Sequence, residues 1–300
     1  MTVRWEERVI AVVGGDRREQ EIARRAAATG ASVRAHGFPW PDQGISGVTP
    51  CGTPQAALEG ADYGLLPIPG IASDGTLFAP AAPRSIILGV EELRSMAAGA
   101  HLILGEADHR LRAAAGQAGV GLSEYEDDRE LMLRRGPAIV EGALAKIIEL
   151  TEITIHNARV VIVGQGTIGS LLTHTLVLLG AHVMVAARSP VQRAAAEAIG
   201  ATSVHLNRLA DHAHGLDVLL STVPVQVVGE EVLRRLPSGS LVMDLAAPPG
   251  GVDLERAAQL GHNTCWARGL GNRAPVTVGA SQWEGIRKRI EQIEEESHES

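Results

Sequence analysis

One stretch narrows the possible folds more than any other. Val160, Val161, Ile162 and Val163 are followed at once by Gly164-Gln165-Gly166-Thr167-Ile168-Gly169. Four β-branched residues in a row read as a strand buried on both faces, which belongs in a parallel sheet covered by helices on either side. The glycines then have separate duties. Gly164 allows the tight turn out of the strand, Gly166 lets main chain approach a pyrophosphate, and Gly169 lets the next helix pack closely on the strand. That helix begins where its unpaired N–H groups and positive dipole end face the phosphates. GxGxxG alone is a weak sign. Between a buried strand and an amphipathic helix it specifies a dinucleotide-binding Rossmann unit, the alternative being a Rossmann-like unit that has lost its ligand.

In such units the end of the next strand selects the cofactor. Here Val185-Ala186-Ala187-Arg188-Ser189 offers no carboxylate to a ribose 2′-OH, whereas an Arg followed by a hydroxyl suits a 2′-phosphate. The cofactor read from the sequence is NADP(H), held by Gly164, Gln165, Gly166, Thr167, Ile168, Gly169, Ala187, Arg188 and Ser189. The plainer alternative makes Arg188 an ordinary exposed arginine. Two further strand ends reach the same edge. Thr222, Val223 and Pro224 fall where adenosine and ribose rest, and Leu245 and Ala246 fall near the nicotinamide, with Gly250 and Gly251 just beyond. Without a ligand these are simply turns.

The rest of the 300 residues repeats the strand–helix alternation twice. Strand candidates at 8–13, 32–35, 63–67, 101–104 and 120–123 alternate with helical stretches at 17–28, 91–98 and 107–118. Two Gly/Pro-rich loops, 39–54 and 67–83 with Gly70, leave one edge of that sheet, where a ligand binds in such folds. The Gly14-Gly15 turn lacks the full fingerprint and is not read as a nucleotide site. An apolar stripe at 138–154 reads as a bridging helix. The second half supplies strands at 159–163, 182–186, 218–221 and 240–244, and helices at 168–179, 191–199, 230–235 and 254–260. The expected fold is α/β, with two doubly wound domains: an N-terminal flavodoxin-like or Rossmann-like domain and a C-terminal NAD(P)-binding Rossmann domain, joined by a long bridging helix. The expected boundaries are 1–136 for the substrate domain, completed by a C-terminal helix at 280–296, then 137–156 for the bridge and 157–279 for the nucleotide domain. Residues 297–300 are read as a frayed tail.

Composition excludes several classes. Lys plus Arg number 27 against 35 Asp plus Glu, a formal net charge of −8, so there is no electrostatic footprint for nucleic acid or an anionic membrane. Cys51 and Cys265 form no CxxC pair, and His205, His212 and His214 lack trustworthy ligand spacing, so no metal site is read. The first residues enter a strand with no basic leader or cleavage site, and no apolar run approaches a membrane span. The expectation is a soluble cytoplasmic protein.

Candidate chemistry has plainer readings beside it. Arg18 suits two-point pairing with a carboxylate, or else is solvated while Asp16 caps the helix that follows. Glu141, taken as near a helix start, is the best acid/base candidate, or a partner of the helix dipole. His156 could relay protons, or serve structure at a domain junction. Cys265 reads as a small apolar filler, the run 124–128 as a solvated face, and Trp266 and Trp283 as core or interface.

The ordered set of motifs is also familiar. It comprises Gly14-Gly15-Asp16 with Arg18, Glu141-Gly142, and Thr154-Ile155-His156 ahead of the second Gly-rich strand. It continues through the 164–169 fingerprint with Ala187-Arg188-Ser189, Asp244-Leu245-Ala246 leading to Pro249-Gly250-Gly251, and Gly269-Leu270 leading to Ala274-Pro275. Over nearly the whole chain this resembles the family of the dipicolinate synthase A subunit. The two-domain organisation is shared with 2-hydroxyacid and alanine dehydrogenases. The resemblance implies oxidation of a dihydrodipicolinate-type precursor to dipicolinic acid during sporulation, in the mother-cell cytoplasm, with the synthase's flavoprotein-like B subunit as partner; a homo-oligomer of this chain is also expected. The candidate catalytic residues are Glu141, Asp16 and His156, and the candidate substrate contacts are Arg18, Gly70, Gly142, Gly250 and Gly251. This sequence departs from the family at Pro137, where a Pro-Thr turn stands one residue nearer Glu141, at Pro248, where members often carry a basic residue, and at Val276, where a lysine is expected. Either Arg18, Arg135, Arg268 or Arg273 then supplies charge for a small dicarboxylate, or the substrate differs. The alternatives are a stand-alone NADP-dependent dehydrogenase or imine reductase of another small acid, and a non-catalytic nucleotide-binding subunit.

Overall fold

Strands with both faces buried organise the protein, and each splits its side chains between two cores. In the computed structural model, which describes residues 3–72, 74–125 and 128–299, Ile10 and Val12 of β1 (Val9–Val13) enter one apolar cluster while Ala11 and Val13 enter another. Val160 and Ile162 of the later Gly-motif strand divide from Val161 and Val163 in the same way. Period-two alternation puts successive side chains on opposite faces, so two covered faces demand an unbroken apolar run. The chain forms two compact units, residues 1–135 with 274–300, and residues 136–273.

In the first unit β1 is followed by α1 (Arg17–Ala27), β2 (Ser32–His36), β3 (Val48–Pro50), α2 (Pro54–Leu58), β4 (Tyr63–Leu65), α3 (Val90–Arg94), β5 (His101–Leu104), α4 (His109–Ala118) and β6 (Gly121–Glu124). All pairings are parallel, in the order β3-β2-β1-β4-β5-β6. Six strands replace the expected five. The extra one, β3, comes from the stretch expected to be a loop at 39–54; it is three residues long, lies at the edge and buries only Val48. The helix α2, capped by Thr53 with Pro54 in its first turn, is too short to show a helical period in the sequence.

The helix α5 (Arg129–Leu150) leads from the first unit into the second. It starts well before the expected 137–138, because Asp128 caps it by accepting the Leu131 N–H at 3.0 Å. It then continues through Pro137. A proline removes one helical donor and crowds the preceding turn, which marks a boundary in sequence but does not compel one. The helix ends at Leu150, so residues 151–156 are not helical.

The second unit contains β7 (Arg159–Val163), α6 (Thr167–Leu178), β8 (His182–Ala187), α7 (Pro190–Ala198), β9 (Thr202–His205), β10 (Val218–Ser221), α8 (Glu230–Arg235), β11 (Leu241–Asp244), α9 (Leu254–Gln259) and β12 (Asn263–Trp266). The parallel order is β12-β11-β10-β7-β8-β9, six strands where four were expected. The additional strands, β9 and β12, are the two edges, and between them they bury a single residue, Val204. Strand order reverses at β7, between β8 on one side and β10 on the other. The turns after β7, β8, β10 and β11 therefore share one carboxyl edge.

The last helix, α10 (Pro275–Glu299), returns to the first unit and is longer than the expected 280–296. Trp283, Ile286 and Ile290 enter the core beside β1 and β4. Arg8 grips Glu294 through Nε at 2.6 Å and Nη2 at 2.5 Å, and the Tyr63 hydroxyl donates to the same carboxylate at 2.6 Å. Among the described residues no helix is long and apolar enough to cross a membrane.

Candidate functional site

The turn leaving β7 is built as the glycine spacing requires. Gly164 has φ +93°, and a Cβ there would stand 2.7 Å from Val223 Cγ2 and 2.8 Å from Thr222 Oγ1. At Gly169 a Cβ would collide with the Gly164 carbonyl oxygen. Thr222 locks the next turn to this one, its amide reaching the Val163 carbonyl at 3.0 Å and its hydroxyl at 3.1 Å. Gly166 is the opposite case, since a Cβ there meets nothing within 4 Å. It caps α6 without a side chain, and the first helical bond runs from Ser170 N–H to the Gly166 carbonyl. The amides of Thr167, Ile168 and Gly169 thus have no intrahelical acceptor. Gln165 is buried in the same turn. Its Oε1 accepts from the Thr173 hydroxyl at 2.9 Å, while its Nε2 has no partner among the described residues. An open cradle at Gly166, free amides at a helix start and an unused buried donor together fit a dinucleotide pyrophosphate.

At the end of β8, Ala187 is buried and Arg188 exposed, while Ser189 caps α7 through a long 3.4 Å bond from the Gln192 amide. Arg193 was not singled out in the sequence. Its Nη1 donates to the Ala187 carbonyl at 3.0 Å and the Arg188 carbonyl at 2.8 Å, so its guanidinium lies at the same strand end. The signal that could have found it is an Arg in the second turn of the helix after the cofactor-selecting strand.

The turn after β11 is held by a residue whose sequence context marks only a strand end. Asp244 is buried, with Oδ1 accepting the Ala246 N–H at 2.9 Å and Oδ2 accepting those of Gly251 at 2.6 Å and Val252 at 3.1 Å. Burial pushes its pKa up, against the opposing pull of those three donors. Gly250 has φ +83°, and a Cβ on Gly251 would lie 2.7 Å from the Val223 carbonyl. The Gly251 carbonyl accepts from Val227 and Val228. Both glycines thus serve the joining of two turns, a role that geometry supplies without a ligand. Trp266 Nε1 donates to the Ala246 carbonyl at 3.0 Å, and Arg268 lies over its ring at 5.8 Å. Trp266 is therefore a partly exposed edge residue, whereas Trp283 is core as expected. Burial also pushes the half-buried Cys265 thiol up.

The first unit's glycine turn has spent its donors. Gly14 N–H reaches the His36 carbonyl at 2.8 Å and Gly15 N–H the Phe78 carbonyl at 2.7 Å. Gly70, with φ +64°, is a turn residue whose carbonyl accepts from the Phe78 amide at 3.1 Å. Asp16 caps α1 and pairs with Arg18 at two points, from Nε at 2.9 Å and Nη2 at 3.0 Å. Arg18 is buried rather than solvated, because α10 lies against this turn at Gly279, where a Cβ would stand 2.6 Å from the Arg18 carbonyl.

Glu19 completes this capping box. Its Oε2 accepts the Asp16 N–H at 2.7 Å, while buried Oε1 has no partner among the described residues. Burial pushes its pKa from the ordinary 4.5 up to about 7, although Arg18 pulls the other way. The folded chain then keeps a proton that the unfolded chain releases near 4.5. Stability from this group is complete below that pH and is lost as pH rises through about 7. Glu19→Gln should therefore gain about 3 kcal/mol over the parent by pH 8 and nothing near pH 4. Urea melts of both proteins across this range check it; a constant difference would show that Glu19 does not titrate there.

The remaining candidates separate. Glu141 lies inside α5 rather than at its start, is exposed, and forms an ion pair with Arg273. Gly142 lies under Leu270, where a Cβ would come within 2.9 Å of the Leu270 carbonyl oxygen and Cβ, so close packing explains this glycine. His156 precedes β7 with its ring against Gly180, at the amino edge, opposite the 164–169 turn. In the acidic run Glu126 and Asp127 lie outside the described residues. Of the others, Glu124 binds Arg112 and the Ala107 amide, Tyr125 is fully buried and Asp128 caps α5, so these are not a solvated face. Among the described residues no cluster of three or more His, Cys, Asp or Glu could hold a metal.

Comparison with known proteins agrees with this division. Residues 9–126 match the family model described as the N-terminal domain of the dipicolinate synthase A subunit, and residues 139–271 match the alanine dehydrogenase/PNT C-terminal domain. The dipicolinate synthase A subunit of Bacillus subtilis (strain 168) is 28% identical over 288 residues, 96% of this chain and 97% of that protein. The crystal structure of the A subunit of dipicolinate synthase from Bacillus halodurans superposes with a TM-score of 0.86 at 28% identity, covering 94% of this chain and 97% of that one. A transhydrogenase from Sinorhizobium meliloti shares the fold, with a TM-score of 0.67 and 16% identity over 95% of this chain and 93% of that one. With a dehydrogenase-type nucleotide domain following an N-terminal domain of this specific kind, the chain is similar over nearly its whole length to the dipicolinate synthase A subunit.

Proposed function

We propose that the protein is an NADP-dependent oxidoreductase subunit that oxidises a dihydrodipicolinate-type precursor to dipicolinic acid, together with a flavoprotein-like subunit, in the cytoplasm of a sporulating mother cell. The observation that carries the reading is the open cradle at Gly166 with free amides at the start of α6, found in a chain similar to the dipicolinate synthase A subunit over nearly its whole length. When bound, the nicotinamide supplies a hydride acceptor. The chain's own residues supply the rest. Asp244 holds the 245–252 turn in place for the nicotinamide end, and Arg188 answers the 2′-phosphate.

For the dianionic substrate, Arg268 is the favoured carboxylate ligand. Arg18 is paired with Asp16, Arg273 with Glu141, and Arg135 is buried with its Nε donating to Met132 Sδ, whereas Arg268 rests on Trp266 with no carboxylate partner among the described residues. It replaces the charge absent at Pro248 and Val276. Glu141 would take a ring proton only after release from Arg273. That ion pair favours a second reading, in which this chain binds nucleotide and its partner performs the chemistry.

The test is dipicolinate formation from freshly generated precursor and NADP by the purified chain, with and without its flavoprotein-like partner. Product requiring both proteins supports the two-subunit reading, and product from this chain alone assigns it the chemistry. Nucleotide binding without product under either condition contradicts the proposed substrate. Full activity of Glu141→Ala in the complex would favour the second reading. Arg188→Ala should weaken NADPH roughly tenfold or more, the worth of one charge-assisted contact, and NADH by less than about twofold. Paired titrations of the two nucleotides check this, and equal losses would sink the 2′-phosphate reading.

A further inference from the structure

We propose that Arg193 is the second arm of a two-arginine clamp on the cofactor's 2′-phosphate, an inference that rests on the NADP reading above. Its guanidinium is already ordered at the carboxyl end of β8. Nη1 is spent on two consecutive carbonyls, Ala187 at 3.0 Å and Arg188 at 2.8 Å. That leaves Nε–H and Nη2–H, the parallel pair along one edge of the guanidinium, which matches two oxygens of a phosphate.

The charge pattern agrees. Elsewhere in this unit Arg208, Arg234, Arg235, Arg256 and Arg273 are each paired with a carboxylate, and the two others that lack one among the described residues, Arg159 and Arg268, lie at the start of β7 and after β12, away from the end of β8. Arg188 and Arg193 have no carboxylate partner among the described residues, in a chain whose acids outnumber its bases by 35 to 27. Strand register adds a third group at the same edge. His205 pairs with Ala187, and its Nδ1 accepts the Asn207 amide at 3.3 Å, which places the ring proton on Nε2. The two arginines divide the work. Arg188 is exposed and must be ordered on binding, whereas Arg193 is pre-ordered by main chain and loses less side-chain entropy. A ribose diol uses neither charge, so the clamp acts on cofactor choice rather than on nucleotide binding as such.

The experiment uses the full chain and two fragments, 2′,5′-ADP and 5′-AMP, each competed against NADPH fluorescence. The parent should prefer 2′,5′-ADP by roughly a hundredfold, about tenfold for each arginine. Arg193→Ala should cut that preference about tenfold while leaving the 5′-AMP affinity within about twofold. Arg193→Gln, which keeps a donor for the two carbonyls, should show the same loss of preference with an unchanged melting temperature. The parent's preference should also strengthen as pH rises through about 6, where a phosphate monoester gains its second charge.

If the parent prefers 2′,5′-ADP and both variants keep the full preference, the NADP reading stands and the clamp is overturned. If the variants lose both fragments equally, Arg193 merely ties the turn, and the clamp is again overturned. If the parent itself shows no preference, the NADP reading fails and the clamp falls with it.

Discussion

Gly169→Ala is expected to destabilise the protein by about 3 kcal/mol and to lower nucleotide affinity more than a hundredfold. The added methyl group would land on the Gly164 carbonyl oxygen and lie 3.2 Å from Thr222 Oγ1. Main chain cannot rotate out of the way as a side chain can, so α6 must move off β7. Its Leu172 and Leu176 are fully buried against that strand's apolar face, so the movement opens packed core. Overpacking of this kind costs about 1–3 kcal/mol, at the upper end when the obstacle is backbone. The same shift carries the free amides of α6 away from the phosphates they would bind. Gly166→Ala separates the two effects. A Cβ there meets nothing within 4 Å, so the fold should keep its melting temperature while the methyl group fills the space a pyrophosphate needs. Thermal melts and NADPH titrations of both variants decide this. A Gly169→Ala protein that melts and binds like the parent would contradict the close helix–strand approach.

Asp244→Ala should be the other severe lesion, at about 4 kcal/mol. The carboxylate is the acceptor for the amides of Ala246, Gly251 and Val252, three donors in one buried turn. Hydrogen bonds to a charged group contribute about 1.5–3 kcal/mol each, and losing the acceptor leaves the donors buried and unpaired. Removing a buried charge offsets part of the loss, consistent with the burial that raises this pKa. Damage should concentrate at residues 245–252 and spread to 227–228, whose amides bond the Gly251 carbonyl. Asp244→Asn keeps the shape but turns an NH2 toward the donor on Oδ1 or the two on Oδ2, so it should recover only part of the stability. Urea melts give the magnitude. An alanine variant within about 1 kcal/mol of the parent would mean that the turn is held by something else.

What the sequence revealed followed burial. Strands with both faces covered, such as β1 and β7, are continuous apolar runs that only a doubly wound sheet requires. The edge strands β3 and β9 bury one residue each, and β12 buries none of its four, so neither alternation nor a run could announce them. Pro137 misplaced the start of α5, since a proline forbids only one donor and the Asp128 cap nine residues earlier decided the boundary. That error moved Glu141 to a helix start it does not occupy. The capping box of Asp16 and Glu19 is written in the spacing, but the burial of Glu19 is not, because a carboxylate in a first helical turn is ordinarily solvated and only the tertiary fold covers this one. Arg193, and the bracing role of Asp244 within its motif, are illegible for a related reason: both bind main-chain groups, which leave no mark in residue types.

Amide hydrogen exchange during NADPH titration of the purified chain tests the nucleotide site itself. Saturable binding is expected, with protection at residues 165–169, weaker protection at 188–189, and none newly gained at Gly14, Gly15, Gly164 and Thr222, whose amides are already bonded. Absence of binding, or binding that leaves the 165–169 amides unprotected, would contradict the proposed site.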